Sequence, residues 1–323
     1  MHWRVKGMVQ KVLGYLPGGH TLHFHLQRQF GGLQDFEREL SVKIDDWAIM
    51  AGHLRDAGAP FAGMRGFEIG TGWYPTFPFA CYLAGAARIT TYDLNTHLRR
   101  DLTERCVATL EKFLPRIAEA GGADPHAVRE RYLRLRNRLL AGDSLEAATD
   151  GVIQYRAPAD ATRTTLADGE VDVVFSNSVL EHVPPEVIGA MYRESMRILA
   201  PGGIMFHSVN CGDHYAYVDR EIHQLHYLRY SDRQWQRWNN AFLYQNRLRA
   251  HRFVDDARDC GFAIVLDTSN ARPERLRQLA ATPVHPQFAG IPPEQLCITS
   301  VDFIARKPAM AVAPAGVAGA PGG

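Results

Sequence analysis

A short apolar run that ends in two glycines, GFEIGTG at residues 66–72, constrains the fold of this chain more than any other feature. Glycines one residue apart after such a run are typical of a strand that turns sharply into a helix beside a ligand. A helix that begins at such a turn offers free N–H groups and the positive end of its dipole. The pattern therefore predicts the first strand and helix of an open α/β sheet, with a ligand site at the turn.

Short apolar segments recur along the chain after this turn, separated by stretches that are long enough for helices. They are ARITTYD (87–93), GVIQYRAP (151–158), VDVVFSN (171–177), GGIMFHSVN (202–210), FAIVLDTS (262–269) and CITSVDFIAR (297–306). Helices between strands imply crossover connections, which make successive strands parallel and place helices on both faces of the sheet. The spacing therefore predicts a doubly wound, mainly parallel α/β sheet.

The chain extends beyond this unit at both ends. We expect a helical N-terminal extension at residues 1–65 and the α/β domain at 66–307, with insertions at about 97–150 and 212–250. The last segment, 308–323, is a low-complexity run of Ala, Pro and Gly. Because it has few large apolar side chains to bury, we predict a disordered tail.

Composition excludes several classes of protein. A formal net charge of +1 on 323 residues gives no global reason to bind nucleic acid or an anionic membrane. The five cysteines are widely spaced without a CxxC pair, which argues against a disulfide framework and fits a reduced, cytoplasmic protein. No apolar run is long enough to span a bilayer, and residues 1–20 lack the apolar region of a signal peptide. That first segment is expected to pack on the protein, with contact to a membrane surface as the alternative.

The acid at Glu68 narrows the choice of ligand at the glycine turn. A dinucleotide site of the G-x-G-x-x-G form needs a third small residue, and Pro75 stands there instead. A carboxylate two residues before Gly70 would repel a pyrophosphate and attract a cation. S-adenosylmethionine offers an ammonium group to the acid and a carboxylate to the backbone N–H groups. The turn therefore favours this cofactor over a nicotinamide dinucleotide.

Two further acids follow the second and third predicted strands. Asp93 stands where a carboxylate accepts hydrogen bonds from both ribose hydroxyls of either cofactor. Asp160, followed by Ala161, either accepts from an adenine amino group or caps its own loop. Neither acid alone separates the two cofactors.

Five segments together resemble the class I S-adenosylmethionine-dependent methyltransferases. They are FEIGTG, TTYDLN, PADA, VDVVFSNSVLEHV and ILAPGGIMFHS, which stand in that family's order and spacing over residues 66–210. The resemblance implies a Rossmann-like sheet of seven strands in the order 3-2-1-4-5-7-6, with the last strand antiparallel. It also implies an enzyme whose cofactor is S-adenosylmethionine.

The resemblance implies a set of cofactor contacts, which we carry over residue by residue. They are Glu68, Gly70, Thr71 and Gly72 for the methionine end, Asp93 and Leu94 for the ribose, Asp160 and Ala161 for the adenine, and Asn177, Ser178 and His182 near the sulfonium. The WYP that follows Gly72 departs from the third glycine that is common in the family.

A narrower resemblance is to bacterial methyltransferases associated with cell-surface saccharide biosynthesis. It rests on YLPGGHTLHFHLQRQFGG, EIGTGWYPTFP, DLNTHL and YQNRLRAHRF. It implies a saccharide or saccharide-linked acceptor.

Methyl transfer to a hydroxyl requires alignment of the reactants and a group that takes the proton. Three histidines follow or end the fourth and fifth predicted strands, and histidine titrates near neutrality. We predict His214 as the base, ahead of His182 and His207. Asp213 either orients His214 or caps the turn. We predict no metal site, because the neighbouring histidines show no closely spaced ligand pair.

The segment 212–250 is predicted to cover the carboxyl edge of the sheet and to form the acceptor pocket. It contains eight aromatic residues and six arginines, which suit sugar or ring faces and anionic groups respectively, although at least half of the aromatics are expected to anchor the cover. The predicted acceptor contacts are Tyr215, Trp235, Asn246 and Arg249, and residues 246–249 are predicted to be helical.

The sequence thus predicts a cytoplasmic S-adenosylmethionine-dependent methyltransferase that acts on an oxygen of a small or glycan-linked acceptor. Three alternatives stay open: methylation of a small aromatic metabolite, a nicotinamide-dependent oxidoreductase, and a cofactor-binding protein without turnover. A nucleic-acid acceptor is disfavoured by the near-neutral charge and by SNSV at the end of the fourth strand, where an NPPY-like tetrad would stand. The sequence does not indicate an oligomeric state.

Overall fold

The computed structural model describes residues 1–17, 22 and 33–309. All but the first two residues of the predicted tail at 308–323 lie outside these ranges, so its disorder stays a prediction. Within the described ranges, no helix combines the length and apolar character needed to cross a bilayer.

Within residues 33–309, seven strands form one sheet. They are β1 (Arg65–Ile69), β2 (Arg88–Tyr92), β3 (Ile153–Arg156), β4 (Val171–Asn177), β5 (Leu199–Asn210), β6 (Ala263–Asp267) and β7 (Ser300–Arg306). Their order is β3-β2-β1-β4-β5-β7-β6, and β7 alone runs antiparallel to its neighbours, β5 and β6. The predicted fold class and strand order are confirmed. Because the order reverses between β1 and β4, a crevice opens there beyond the carboxyl ends of the strands.

Helices connect the strands and cover both faces of the sheet. In the described ranges they are α1 (Trp3–Tyr15), α2 (Phe36–Asp56), α3 (Thr76–Leu83), α4 (Arg100–Leu110), α5 (Leu114–Gly121), α6 (Pro125–Leu140), α7 (Leu145–Ala148), α8 (Pro185–Ile198), α9 (Asp232–Trp235), α10 (Ala250–Asp259), α11 (Pro273–Ala280) and α12 (Pro293–Leu296). Short 3-10 turns at Leu180–His182 and His214–Tyr217 follow β4 and β5 and complete the carboxyl edge.

Helix α2 packs directly into the core on one face of the sheet. Apolar side chains at three- and four-residue spacing, among them Leu40, Ile44 and Trp47, are fully buried on its inner face. Asp35 caps its N-terminus by accepting the Arg38 N–H at 3.2 Å. The helix therefore shares the core of the sheet. The division of the chain at about residue 65 stays a prediction.

Helix α1 packs against the segment 212–250, which we call the cover. Trp3 lies at the centre of an aromatic cluster, with its ring centroid 4.6 Å from that of Trp238, 5.1 Å from His226 and 5.5 Å from Tyr215. The Trp3 N–H donates to the Asp219 carboxylate at 2.9 Å. The beginning of the chain therefore packs against the cover.

Residues 246–249 have no regular secondary structure before α10, so the predicted helix there is wrong. Arg247 has a φ of 62°, in the left-handed region that interrupts a helix. The Asn246 side chain donates instead to the Leu180 and Val183 carbonyls at 2.7 and 2.8 Å. Contacts with the turn after β4 therefore outweigh the local helix propensity.

Candidate active site

The turn between β1 and α3 passes through Gly70 and Gly72, whose φ angles are 87° and 74°. A Cβ atom at Gly70 would lie 2.6 Å from Val179 Cγ2, in the loop after β4. Among the described residues, a Cβ atom at Gly72 would meet nothing within 4 Å. Glycine at 70 therefore allows two loops to touch, and the turn at Gly72 faces open space.

Glu68 lies at the end of β1 with its carboxyl group buried. Its Oε2 accepts from the Thr91 hydroxyl at 2.5 Å, and the Thr71 and Thr91 hydroxyls are bonded to each other. Burial raises the pKa of Glu68 to about 7, the Thr91 hydrogen bond opposes this rise, and the Asp93 charge adds to it. Lys43 of α2 is a nearby cation that also favours the ionised form. A buried carboxyl group with a raised pKa is stabilised in its ionised form when a cationic ligand binds beside it.

Replacement of Glu68 by glutamine is expected to stabilise the ligand-free protein, relative to wild type, as pH rises. The raised pKa means that the folded state holds the Glu68 proton more tightly than the unfolded state does. This contribution to stability is complete below pH 4.5 and is lost as pH rises through about 7. The loss lowers the free energy of unfolding of the wild type by roughly 3 kcal/mol. The amide oxygen of the substituted side chain can still accept from Thr91, and the amide does not titrate.

Urea denaturation of the ligand-free protein at pH 5 and pH 8 measures this effect. The difference in unfolding free energy between Glu68→Gln and wild type should shift by about 3 kcal/mol in favour of the variant. Glu119→Gln, at an exposed glutamate, serves as control. A difference that does not change with pH would contradict the assignment.

Asp93 directly follows β2 and is largely buried. Its two carboxylate oxygens lie 3.3 and 3.2 Å from the Gly72 amide nitrogen, which donates to them. Burial raises the pKa of Asp93, and the Gly72 N–H opposes this rise. Leu94, the next residue, is 71% exposed. The acid thus lies at the glycine turn, at the mouth of the crevice.

The loop after β3 lies beside Asp93, because the Ala159 N–H donates to the Asp93 carbonyl at 2.9 Å. Asp160 is exposed, and its Oδ1 accepts from the Thr162 N–H and hydroxyl at 2.8 and 2.7 Å. Ala161 packs against the core on the face of the sheet that α8 and α10 cover. The capping role of Asp160 is therefore present, and its contact with adenine stays a prediction.

The end of β4 faces helix α2. Asn177 Nδ2 donates to Asp46 Oδ2 at 3.3 Å, and burial raises the pKa of Asp46. Ser178 is exposed, with a φ of 54°, and its N–H donates to the Ser208 carbonyl at 2.9 Å. Sequence reasoning missed Lys43 and Asp46, because no local pattern tells which face of α2 meets the site.

Glu181, His182 and His214 meet beyond the carboxyl ends of β4 and β5. One ligand-type atom from each of the three side chains lies within 4.8 Å of the others. Glu181 Oε1 is 4.0 Å from His214 Nε2, and the two imidazole centroids are 5.0 Å apart. We call these three residues the Glu-His-His cluster. It brings His182 and His214 together as predicted for the edge of the sheet.

Glu181 is the member that sequence reasoning missed. It is 2% exposed, and its carboxylate makes no hydrogen bond of ordinary geometry among the described residues, although its own N–H and the Asn210 N–H lie close enough to oppose the rise in its pKa. Burial raises its pKa to about 8. In the sequence, the feature that could have indicated Glu181 is its position directly before His182, just after the fourth predicted strand.

The two histidines of the cluster are held differently. His182 Nδ1 lies 2.6 Å from the Tyr244 carbonyl, which can only accept, so this nitrogen carries the proton and Nε2 has a free lone pair. Loss of hydration lowers the pKa of His182, although part of the residue stays exposed. Burial lowers the pKa of His214 to about 3, with His182 and Lys6 adding to the effect. His214 Nε2 has no hydrogen-bond partner within the described ranges.

His207 is a core residue, so its prediction as a base is wrong. It is fully buried in β5, with Nδ1 2.6 Å from the Ser176 hydroxyl and its ring between Tyr192 and Phe303. Burial lowers its pKa to about 3. Strand alternation directs this side chain into the core on one face of the sheet and away from the carboxyl edge.

Asp213 does not orient His214. Its Oδ1 accepts the Tyr215 N–H at 2.9 Å, and its Oδ2 lies 3.0 Å from His226 Nδ1. The alternative that Asp213 caps its turn is therefore the correct one. His223 is also engaged elsewhere, 3.2 Å from the Thr282 hydroxyl.

The predicted acceptor contacts are built into the structure of the cover. Tyr215 is enclosed in the aromatic cluster and donates to the Trp238 carbonyl at 2.9 Å, so its predicted role is wrong. Trp235 and Arg249 are 2% and 1% exposed. Trp235, Asn246 and Arg249 do line a cavity of about 480 Å³.

Arg249 and Asn246 use their polar groups internally. Arg249 donates to the carbonyls of Cys211, at 2.7 Å, and of Ile298, and to the Tyr227 hydroxyl at 2.8 Å. Asn246 holds the turn that carries Glu181, through its side chain and through its N–H to the Glu181 carbonyl at 2.9 Å. Arg249 is therefore part of the buried framework, which corrects its assignment as an acceptor contact, whereas the assignment of Asn246, which also lines the cavity, stays a prediction.

Comparison with known proteins agrees with this geometry. Residues 134–207 match a family model described as a methyltransferase domain. No curated protein sequence matches the chain significantly.

Solved structures with a similar arrangement include an S-adenosylmethionine-dependent methyltransferase from Mesorhizobium loti, at 17% identity and a TM-score of 0.39 over 79% of this chain and 95% of the other. Another is geranyl diphosphate C-methyltransferase from Streptomyces coelicolor A3(2), at 11% identity and a TM-score of 0.44 over 84% and 83% of the two chains. These likenesses are too distant to indicate an acceptor or a mechanism.

The methyltransferase-domain match over residues 134–207 and the strand order β3-β2-β1-β4-β5-β7-β6 together support a class I S-adenosylmethionine-dependent methyltransferase.

Proposed function

We propose that this methyltransferase transfers a methyl group to a hydroxyl of a small molecule, with the acceptor oxygen held at the Glu-His-His cluster. The observation that supports this most directly is that, among the described residues, the two Glu181 oxygens and His214 Nε2 are buried there without a hydrogen bond of ordinary geometry. A hydroxyl acceptor must lose a proton, and the cluster offers atoms that can receive it.

The residues around the glycine turn fit the cofactor. Glu68 offers a buried acid to the ammonium group, Gly72 faces open space, and Asp93 offers a carboxylate to the ribose hydroxyls. When bound, S-adenosylmethionine supplies a methyl group that is activated by its sulfonium. The contact of Gly70 with Val179 places the glycine turn against the loop that leads to Glu181 and His182.

The cavity of about 480 Å³ supports a polar acceptor, and it is connected with the cluster through two shared neighbours, since none of the three cluster residues lines it. Tyr244, whose carbonyl holds His182, and Asn246, which holds the turn after β4, both belong to its lining. Most of the other lining side chains are polar or charged. Such a wall matches an acceptor with several hydroxyl groups better than a hydrophobic ring.

The saccharide acceptor is the narrower form of this proposal and rests on the narrower resemblance together with the polar cavity. The expected stacking on the cover is not part of its support, because Tyr215, Tyr227 and Trp235 are buried against each other and Trp3. The same burial removes the stacking support for an aromatic metabolite.

An acceptor screen with methyl-labelled S-adenosylmethionine tests the proposal. Free sugars, nucleotide sugars, phenols and amines are offered in parallel, and NMR locates the labelled atom in each product. We expect an O-methyl group on a sugar hydroxyl. Label on phenols alone would favour the aromatic alternative, and label only on nitrogen, carbon or sulfur would overturn hydroxyl methylation.

His214→Asn is expected to lower kcat by about 10²-fold or more, because it removes Nε2 from the cluster. Affinity for S-adenosylhomocysteine should stay within about twofold of wild type, since the residues around the glycine turn are unchanged. Turnover and calorimetry measure the two quantities. His126→Asn, at an exposed position in the first turn of α6, is the matched control. Full activity of His214→Asn would remove the cluster from the mechanism.

A further inference from the structure

We propose that the Glu-His-His cluster binds a divalent transition-metal ion, which holds and activates the acceptor hydroxyl. This inference rests on the proposed function, because it states how the acceptor oxygen is held. It differs from the prediction from sequence that the chain has no metal site.

The cluster has the dimensions of a three-ligand site. Its three ligand atoms lie within 4.8 Å of each other, and the Glu181 Oε1 to His214 Nε2 distance is 4.0 Å. Metal bonds to nitrogen and oxygen ligands are about 2.0–2.2 Å long, so two atoms that share an ion lie up to about 4.4 Å apart. Small side-chain rotations therefore bring all three atoms onto one ion.

The hydrogen bonds of the two histidines are compatible with metal binding through their Nε2 atoms. His182 donates its Nδ1–H to the Tyr244 carbonyl at 2.6 Å, which leaves the Nε2 lone pair for a metal. A backbone carbonyl on the opposite ring nitrogen is the usual way in which a metal-binding histidine is oriented. His214 Nε2 faces Glu181 and has no partner in the described part of the chain.

The backbone around the cluster is fixed by side chains of the cover. Gln245 accepts the His214 N–H at 3.0 Å and donates to the Gly212 carbonyl at 2.8 Å. Asn246 holds the turn that carries Glu181 and His182. The ligands are therefore held in place by contacts of their own, as a binding site requires.

The buried carboxylate is the second observation that points to a cation. Glu181 is almost fully enclosed, and apart from imperfectly aligned contacts with its own N–H and the Asn210 N–H its oxygens have no hydrogen-bond partner among the described residues. Buried polar atoms nearly always have a partner, so these two oxygens require an explanation. A cation between Glu181 and the two imidazoles supplies one.

The donor set indicates the class of metal. Two imidazoles and one carboxylate suit Zn²⁺, Fe²⁺, Mn²⁺ or Co²⁺, whereas Mg²⁺ and Ca²⁺ prefer oxygen ligands alone. Three protein ligands leave coordination positions open for a substrate oxygen, as in catalytic sites.

The chemical step balances without a further reactant. The acceptor hydroxyl occupies the open position, where the cation makes its proton more acidic. One Glu181 oxygen binds the metal and the other takes the proton as the O–H bond breaks. The oxygen then forms a bond to the methyl carbon as the carbon–sulfur bond breaks, and the sulfur keeps that electron pair. The products are the methyl ether, protonated Glu181 and S-adenosylhomocysteine.

Titration of the metal-free full chain with Co²⁺ tests the site by visible absorption and calorimetry. We expect wild type to bind Co²⁺ with the absorption bands of a low-coordinate nitrogen and oxygen site. Glu181→Gln and His214→Asn are nearly isosteric and should each weaken this binding at least tenfold, and His126→Asn should not. Circular dichroism checks that each variant is folded, and His182→Asn provides a third ligand variant if one of them is not.

Comparison between variants is the readout, because His20, His23 and His25 lie close together in the sequence and can bind metal independently. Absence of Co²⁺ binding in wild type, or equal binding in wild type and the folded ligand variants, overturns the metal site. If hydroxyls are methylated while Co²⁺ binding is absent, the metal site fails and the proposed function stands. If the variants lose Co²⁺ while label reaches only nitrogen, carbon or sulfur, the metal site stands and the proposed function fails.

Discussion

Arg249→Ala is expected to destabilise the fold by about 3–5 kcal/mol, and so to reduce activity through loss of folded protein. The guanidinium is almost fully buried and donates to two carbonyls and the Tyr227 hydroxyl. Truncation takes the Arg249 donor away from the Ile298 carbonyl and the Tyr227 hydroxyl, at about 1–3 kcal/mol each, while the Cys211 carbonyl keeps the Tyr227 hydroxyl as a donor, and it also leaves a cavity. The shift in the urea midpoint, with the slope unchanged, measures the loss.

Arg252→Ala provides the control for Arg249→Ala, because Arg252 is exposed and makes a surface ion pair with Asp256 one turn away. Its cost should stay below about 1 kcal/mol. If Arg249→Ala keeps the stability of wild type and instead raises KM for the acceptor, then Arg249 contacts the acceptor after all and its burial is not maintained in solution.

Asp93→Asn is expected to weaken S-adenosylhomocysteine binding by at least about 10²-fold. The carboxylate is proposed to accept two charge-assisted hydrogen bonds from the ribose, which contribute about 1.5–3 kcal/mol each. The asparagine oxygen can still accept from the Gly72 N–H, so the turn should keep its shape. Calorimetry with S-adenosylhomocysteine and, separately, with NAD measures the affinities.

Asp160→Asn is the comparison for Asp93→Asn. Asp160 is exposed and already caps its own loop through Thr162, so its replacement should change the affinity by less than about tenfold. Binding of NAD together with no binding of S-adenosylhomocysteine would contradict the cofactor assignment. Equal affinities of Asp93→Asn and wild type would contradict only the role of Asp93.

The fold was predictable because its signals are local. Each strand is a short apolar run. The glycines at 70 and 72 indicate both a turn with positive φ angles and room for a ligand beside it. The position of β7 between β5 and β6 is not a local property, and only the family resemblance provided it.

The candidate site was predictable only in part. Glu181 and His214 are far apart in sequence and meet because β4 and β5 are neighbours in the sheet. Which arginines and aromatics of the cover face a ligand depends on long-range packing, in which Trp3 fills the space beside Tyr215 and Trp235. Residue type alone therefore assigned Tyr215 and Arg249 to an acceptor when they support the fold.

The packing of Trp3 into the cover also constrains how the site can open. Because the indole contacts rings from several parts of 212–250, the cover cannot swing outward while α1 stays in place. A movement that admits a bulky acceptor must either carry both segments together as one rigid body or pull the indole out of its cluster. The second route exposes a large aromatic surface to water and is therefore the costlier of the two.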